Sequence, residues 1–126
     1  MAQVGSRVLL VDDNHDAVDM FSELLGLYNV ESRVAYDGYS AITLLAEWPA
    51  SIVFLDIVMP GLDGYETAIA MRSLPGFADL PIVAWSGWDG QHNDEAFSRA
   101  GMVCRLTKPV DLQDVLDLIH LYEARQ

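Results

Sequence analysis

The chain has 126 residues, the size of one domain, and 52% of them are hydrophobic, which suffices for a single core. Its 19 acidic and 7 basic residues leave a net charge of −12, which argues against direct nucleic-acid binding through phosphate contacts. No apolar stretch reaches the roughly 18 residues of a membrane span, the N-terminus "MAQVGSRVLLVDD" lacks the regions of a secretion signal, and the lone cysteine, Cys104, cannot form an internal disulfide and fits a cytoplasmic location.

"RVLLV" (7–11) is a short leucine and β-branched run between polar residues and reads as a buried strand. Ala17, Val18, Phe21, Leu24, Leu25 and Tyr28 then recur at helical spacing, so a helix is predicted over 15–28. "ESRVAY" (31–36) alternates as a half-exposed strand, and "GYSAITLLAEW" (38–48) is a helix stopped by Pro49. "SIVFLD" (51–56) is a strand, apolar until Asp56. "GYETAIAMRSL" (64–74) is a helix closed by Pro75-Gly76. "LPIVAWS" (80–86) is another apolar strand, and "QHNDEAFSRA" (91–100) a short helix with Gly101 past its end. "MVCRLT" (102–107) is the last strand. "DLQDVLDLIHLYEA" (111–124) is the last helix, with Leu112, Val115, Leu116, Ile119 and Tyr122 on one stripe.

Five strands alternating with five helices predict a doubly wound α/β domain around a parallel sheet. Ligands of such folds sit beyond the carboxyl ends of the strands. Strand 1 ends in Asp12-Asp13, strand 3 in Asp56, strand 4 in Ser86-Gly87 and strand 5 in Thr107-Lys108-Pro109, while strand 2 ends in the ordinary turn Tyr36-Asp37-Gly38. Three carboxylates at one edge repel, and a hard divalent cation relieves the conflict. Oxygen-only ligands, too few for a closed cage, point to magnesium rather than calcium. Zinc would call on His15, His92, His120 and Cys104, which are scattered along the chain. Lys108, the only lysine, pairs with an anion, and Ser86 offers a hydroxyl. Carboxylate, magnesium, lysine and hydroxyl together form a phosphoryl-transfer set with Asp56 as nucleophile.

"VLLVDDN" (8–14), "FLDIVMPGLDGYE" (54–66), "AWSG" (84–87) and "LTKPVD" (106–111) resemble the receiver domain of bacterial response regulators, over about residues 6–124. The resemblance implies a single receiver domain across 1–126, with a flavodoxin-like sheet of strand order 2-1-3-4-5. It implies that Asp56 is the phosphoacceptor. Asp13 is then the direct magnesium ligand, Asp12 acts largely through water, and the Val58 carbonyl completes the metal site. Ser86 matches the switch hydroxyl, and Gly87 the small residue that follows it. Lys108 matches the lysine that contacts the phosphoryl group, and Pro109 fits a cis Lys-Pro bond. Met59-Pro60-Gly61 and Asp63-Gly64 match the loop into helix 3. One position departs from the pattern. Arg105 stands where the family usually places an inward-turning tyrosine or phenylalanine, three residues before the lysine. Without that ring, the switch is expected to run through Ser86 and the loop carrying Trp88. Arg105 itself is expected at the surface near helix 4, beside Asp94 or Glu95.

The function expected is a phosphoacceptor switch in two-component signalling, which is not a turnover enzyme. The implied donor is a histidine kinase or a histidine phosphotransfer protein. No output domain is expected after the last helix, and the signal is then expected to leave through a protein surface or by onward phosphotransfer, from a monomer or weak dimer without membrane contact. A receiver excised from a hybrid kinase would read the same way. Other functions compete. A magnesium-dependent phosphohydrolase also uses a strand-end aspartate, but usually with a second acid two residues on, where this chain has Val58. A flavin domain would need a neutral phosphate loop where "VDDNHDA" is anionic. A degenerate receiver acting as a scaffold is a further alternative: the intact site argues against it, and Arg105 at the usual aromatic position keeps it open. The histidines read as surface residues, Trp85 as core, and Trp88 as a partner contact or loop packing.

Overall fold

In this computed structural model, which describes residues 6–87 and 93–123, strands and helices alternate from end to end. The elements are β1 (Arg7–Val11), α1 (His15–Leu27), β2 (Glu31–Ala35), α2 (Gly38–Glu47) and β3 (Ile52–Asp56). They continue with α3 (Gly64–Arg72), β4 (Ile82–Gly87), α4 (Asp94–Arg99), β5 (Cys104–Lys108) and α5 (Leu112–Glu123). All strands pair in parallel, in the order β2-β1-β3-β4-β5. No helix among the described residues is long and apolar enough to cross a membrane.

The period of two along a strand sorts the core into two layers. Leu9, Val11, Val53, Leu55, Ile82 and Ala84 face one side, where Ala41 and Leu45 of α2 and Ala68 and Met71 of α3 cover them. Val8, Leu10, Ile52, Phe54, Val83 and Trp85 face the other, under Val18 and Leu25 of α1 and Val115, Leu116 and Ile119 of α5. Burial on both faces is why β1, β3 and β4 read as continuous apolar runs. Each fully buried large aliphatic side chain contributes about 1.5–3 kcal/mol.

Several element ends differ from the sequence expectation for local reasons. β4 starts at Ile82 rather than 80, because the Leu80 N–H closes a turn on the Phe77 carbonyl and Pro81 has no N–H to give. α3 stops at Arg72, where the Ser73 hydroxyl donates back to the Ile69 carbonyl. β5 extends to Lys108, which pairs across the ladder with Gly87. The part of the predicted fourth helix at 91–92, Trp88 and His92 lie outside the described residues.

The short loop from β3 to α3 depends on glycine. A Cβ on Gly64 would stand 2.4 Å from the Asp56 carbonyl oxygen and 2.6 Å from Ile57 Cα, so only glycine lets α3 start against the end of β3. Asp63 and Glu66 then form a reciprocal capping box at that helix start.

Candidate functional site

The carboxyl ends of β1 and β3 are adjacent, and they bring Asp12, Asp13 and Asp56 together. One carboxylate oxygen of each lies within 4.8 Å of the others, and no second such group of three or more His, Cys, Asp or Glu side chains occurs among the described residues. Asp12 and Asp56 are 3% and 5% exposed, whereas Asp13 is open to solvent. Asn14, not the acidic pair, caps α1 by accepting from the Ala17 N–H at 3.2 Å. Capping therefore does not account for two aspartates in a row. Asp12 Oδ1 accepts from the Asn14 N–H at 3.0 Å, and Asp56 Oδ1 from the Val58 N–H at 3.1 Å.

Lys108, the last residue of β5, reaches back over the sheet edge. Its Nζ lies 2.5 Å from Asp12 Oδ2 and 3.4 Å from Asp56 Oδ2, so one ammonium serves both buried carboxylates. Burial pushes the Asp56 carboxyl up to about 7; the Lys108 charge pulls it down, and the Asp12 charge pushes it up again. Burial lowers the Lys108 amine, but its hydrogen bond to Asp12 and the charges of Asp56 and Asp12 outweigh this, so its pKa is raised. The site is thus short of positive charge: one lysine faces three acids.

Ser86 and Gly87 end β4 and pair in register with Thr107 and Lys108 of β5. Ser86 is 1% exposed, and its Oγ has no hydrogen-bond partner among the described residues. A buried hydroxyl left unpaired is uncommon and points to a group it is built to meet. Val58 is exposed beside Asp56. The Lys108-Pro109 bond is cis, as the resemblance implied.

Arg105 sits one turn of the pleat below this edge. It lies near α4 and pairs with Asp94 at 3.3 Å, but it is half-buried rather than a surface residue. Its guanidinium stands 4.6 Å from the centre of the Phe97 ring, which shelters it from water, and its Nε is buried without a partner among the described residues.

Two contacts escaped the sequence reading. The Tyr65 hydroxyl, on the first turn of α3, accepts from the backbone N–H of Asn93, the cap of α4, at 3.4 Å. The indole of Trp85 donates to the Val11 carbonyl at 3.1 Å, where the sequence suggested only core packing. A buried tryptophan N–H needs a partner, and that was the available signal. His15 stacks on Tyr36 at 3.7 Å between ring centres, and His120 lies on α5 beside Glu123, so neither joins the acidic cluster.

The profile of the response regulator receiver domain family matches residues 8–120. Among individual proteins, PilG of Pseudomonas aeruginosa is 30% identical over 115 residues, covering 91% of this chain and 85% of PilG. A probable cyclic di-GMP phosphodiesterase of Vibrio cholerae is 29% identical over a similar span, but this chain covers only 26% of its length. Among solved structures, the chemotaxis protein CheY4 of Vibrio cholerae superposes with a TM-score of 0.87 at 23% identity, covering 94% of this chain and 99% of that one. The receiver domain of the sensor histidine kinase PA1611 of Pseudomonas aeruginosa, which has a magnesium ion in its active-site cleft, superposes with a TM-score of 0.83 at 24% identity, covering 94% and 98%. With a profile match over nearly the whole chain and a five-stranded 2-1-3-4-5 sheet shared with these structures, the chain belongs to the response regulator receiver domain family of two-component signalling.

Proposed function

We propose that this receiver takes a phosphoryl group onto Asp56, with magnesium held by Asp12, Asp13, Asp56 and the backbone carbonyl of Val58. The observation that carries this reading is the trio of carboxylates at the sheet edge, two of them buried and bridged by Lys108. The donor set fits the ion. It is all oxygen, it carries more negative charge than Lys108 balances, and three direct protein ligands, with Asp12 acting through water, leave positions for water and a phosphoryl oxygen. The magnesium in the cleft of the PA1611 receiver supports the same choice.

Bound magnesium supplies positive charge that keeps the carboxylates ionised and draws electron density from the phosphoryl oxygens. The chain's own residues do the rest. A carboxylate oxygen of Asp56 attacks the phosphorus of a phosphohistidine. The P–N bond breaks, the imidazole leaves with the electron pair and is protonated, and an acyl phosphate remains on Asp56. Lys108 exchanges a carboxylate for a phosphoryl oxygen, and the unpaired Ser86 hydroxyl donates to another. The donor expected is a histidine kinase or a histidine phosphotransfer protein, and the signal leaves through a protein surface.

Incubation with magnesium and acetyl phosphate, followed by intact mass, tests this. The wild type is expected to gain one phosphoryl group and Asp56→Asn none, since the amide matches the carboxylate in size but is not a nucleophile. A full mass gain in the mutant would place the acceptor elsewhere.

A further inference from the structure

Trp85 links β1, β3 and β4, the strands that carry Asp12, Asp56 and Ser86. It stands on β4 opposite Asp56 in the ladder, and Ser86 follows it in the chain. Its backbone carbonyl accepts from the Ile57 N–H at 3.2 Å, which holds the peptide immediately after Asp56. Its indole does something no ladder bond does. Since β3 lies between β4 and β1, the ring crosses β3 over Phe54 and donates to the Val11 carbonyl, the peptide immediately before Asp12. The other side of that same peptide is held by the Asp12 N–H, which donates to the Ala35 carbonyl at 3.1 Å. The peptides flanking both buried carboxylates are thus each tied to one residue, and Phe21 of α1 packs edge-on against its ring.

We infer that Trp85 is a positioning residue for the acidic site: its indole N–H, by fixing the Val11–Asp12 peptide relative to Asp56, sets the separation of the carboxylates that receive the cation. This rests on the reading of Asp12, Asp13 and Asp56 as magnesium ligands. Trp85 touches no ligand atom; it acts through the backbone of β1 and β3. A metal site tolerates small errors in ligand separation poorly, and magnesium, which demands near-octahedral geometry, tolerates them least. The N–H of a buried tryptophan needs a partner, and here that partner is the peptide that carries Asp12 rather than a group remote from the site.

The experiment compares magnesium affinity, by calorimetric titration, in the wild type and three variants. Trp85→Phe keeps an aromatic core residue and loses the donor. Replacing Trp85 by its benzothienyl analogue keeps the bicyclic shape and exchanges N–H for sulfur, which guards against a packing failure. Phe54→Leu perturbs the same core layer and leaves the hydrogen bond in place. Both donor-less variants are expected to bind magnesium about tenfold more weakly, the usual cost of losing a group that orients a ligand, while Phe54→Leu lowers the melting temperature and keeps the affinity. Unchanged affinity in the benzothienyl variant overturns the inference, and so does an equal loss in Phe54→Leu, which would make the effect one of packing. A wild type that binds no magnesium would overturn the functional reading itself, and this inference with it.

Discussion

Asp56 sits where its neutral form is favoured, since burial raises its pKa to about 7 against the ordinary carboxylate range and the Asp12 charge adds to the rise. The folded chain therefore holds a proton there that the unfolded chain releases near pH 4. Stability contributed by that proton is present at low pH and is lost as the pH rises towards and through about 7. Without metal, the melting temperature of the wild type is expected to fall between about pH 4 and about pH 7 relative to Asp56→Asn, whose amide does not titrate. Thermal melts in a chelating buffer at stepped pH check this; parallel curves for the two proteins would mean that Asp56 is already ionised at pH 5. Magnesium competes with the same proton, so its stabilising effect should grow over the same interval.

At the scale of elements, the site depends on how α3 and α4 meet the sheet. The Cβ of Gly64→Ala would drive into the Asp56 carbonyl, which is backbone and has little freedom to move. A loss of about 1–3 kcal/mol is expected, with slower phosphoryl uptake because the strain falls on the acceptor strand itself. Denaturant unfolding and intact-mass time courses report the two effects. α4 is a short helix held at its start by the Tyr65 hydroxyl and by Arg105, through Asp94 and the Phe97 ring. Arg105→Ala should cost about 1 kcal/mol, since a half-exposed ion pair and a cation–π contact are each modest. It should speed hydrogen exchange in α4 while leaving phosphorylation of Asp56 near the wild-type level. A large loss of phosphorylation would place Arg105 in the site instead.

Over the whole molecule, the negative charge gathered at one sheet edge makes cation binding and folding a linked equilibrium. Magnesium at about a hundredfold excess over its Kd should stabilise the fold by about 2.7 kcal/mol. Asp13→Ala should abolish that gain, and should raise the melting temperature of the metal-free form by removing one of three like charges. Melts with and without magnesium decide the point: equal responses in mutant and wild type would move the cation away from these carboxylates.

The sequence alone determined the order and kind of the elements, because burial on one face or two leaves a period of two, of 3.6 or an unbroken apolar run, and each is a local pattern. It also determined which residues end the strands, and in a parallel α/β sheet all those ends lie on one edge, so Asp12, Asp13, Asp56, Ser86 and Lys108 were legible as a group. What it left open depended on contacts across the fold. Only the tertiary structure decided that Lys108 sits closer to Asp12, 96 residues away, than to Asp56, and that the Trp85 indole finds the Val11 carbonyl 74 residues away. The half-burial of Arg105 followed from Phe97 of α4 lying over it, which no spacing in either segment records. These distances are set by how the layers pack, and a side chain's partner and pKa follow from packing that a local pattern does not contain.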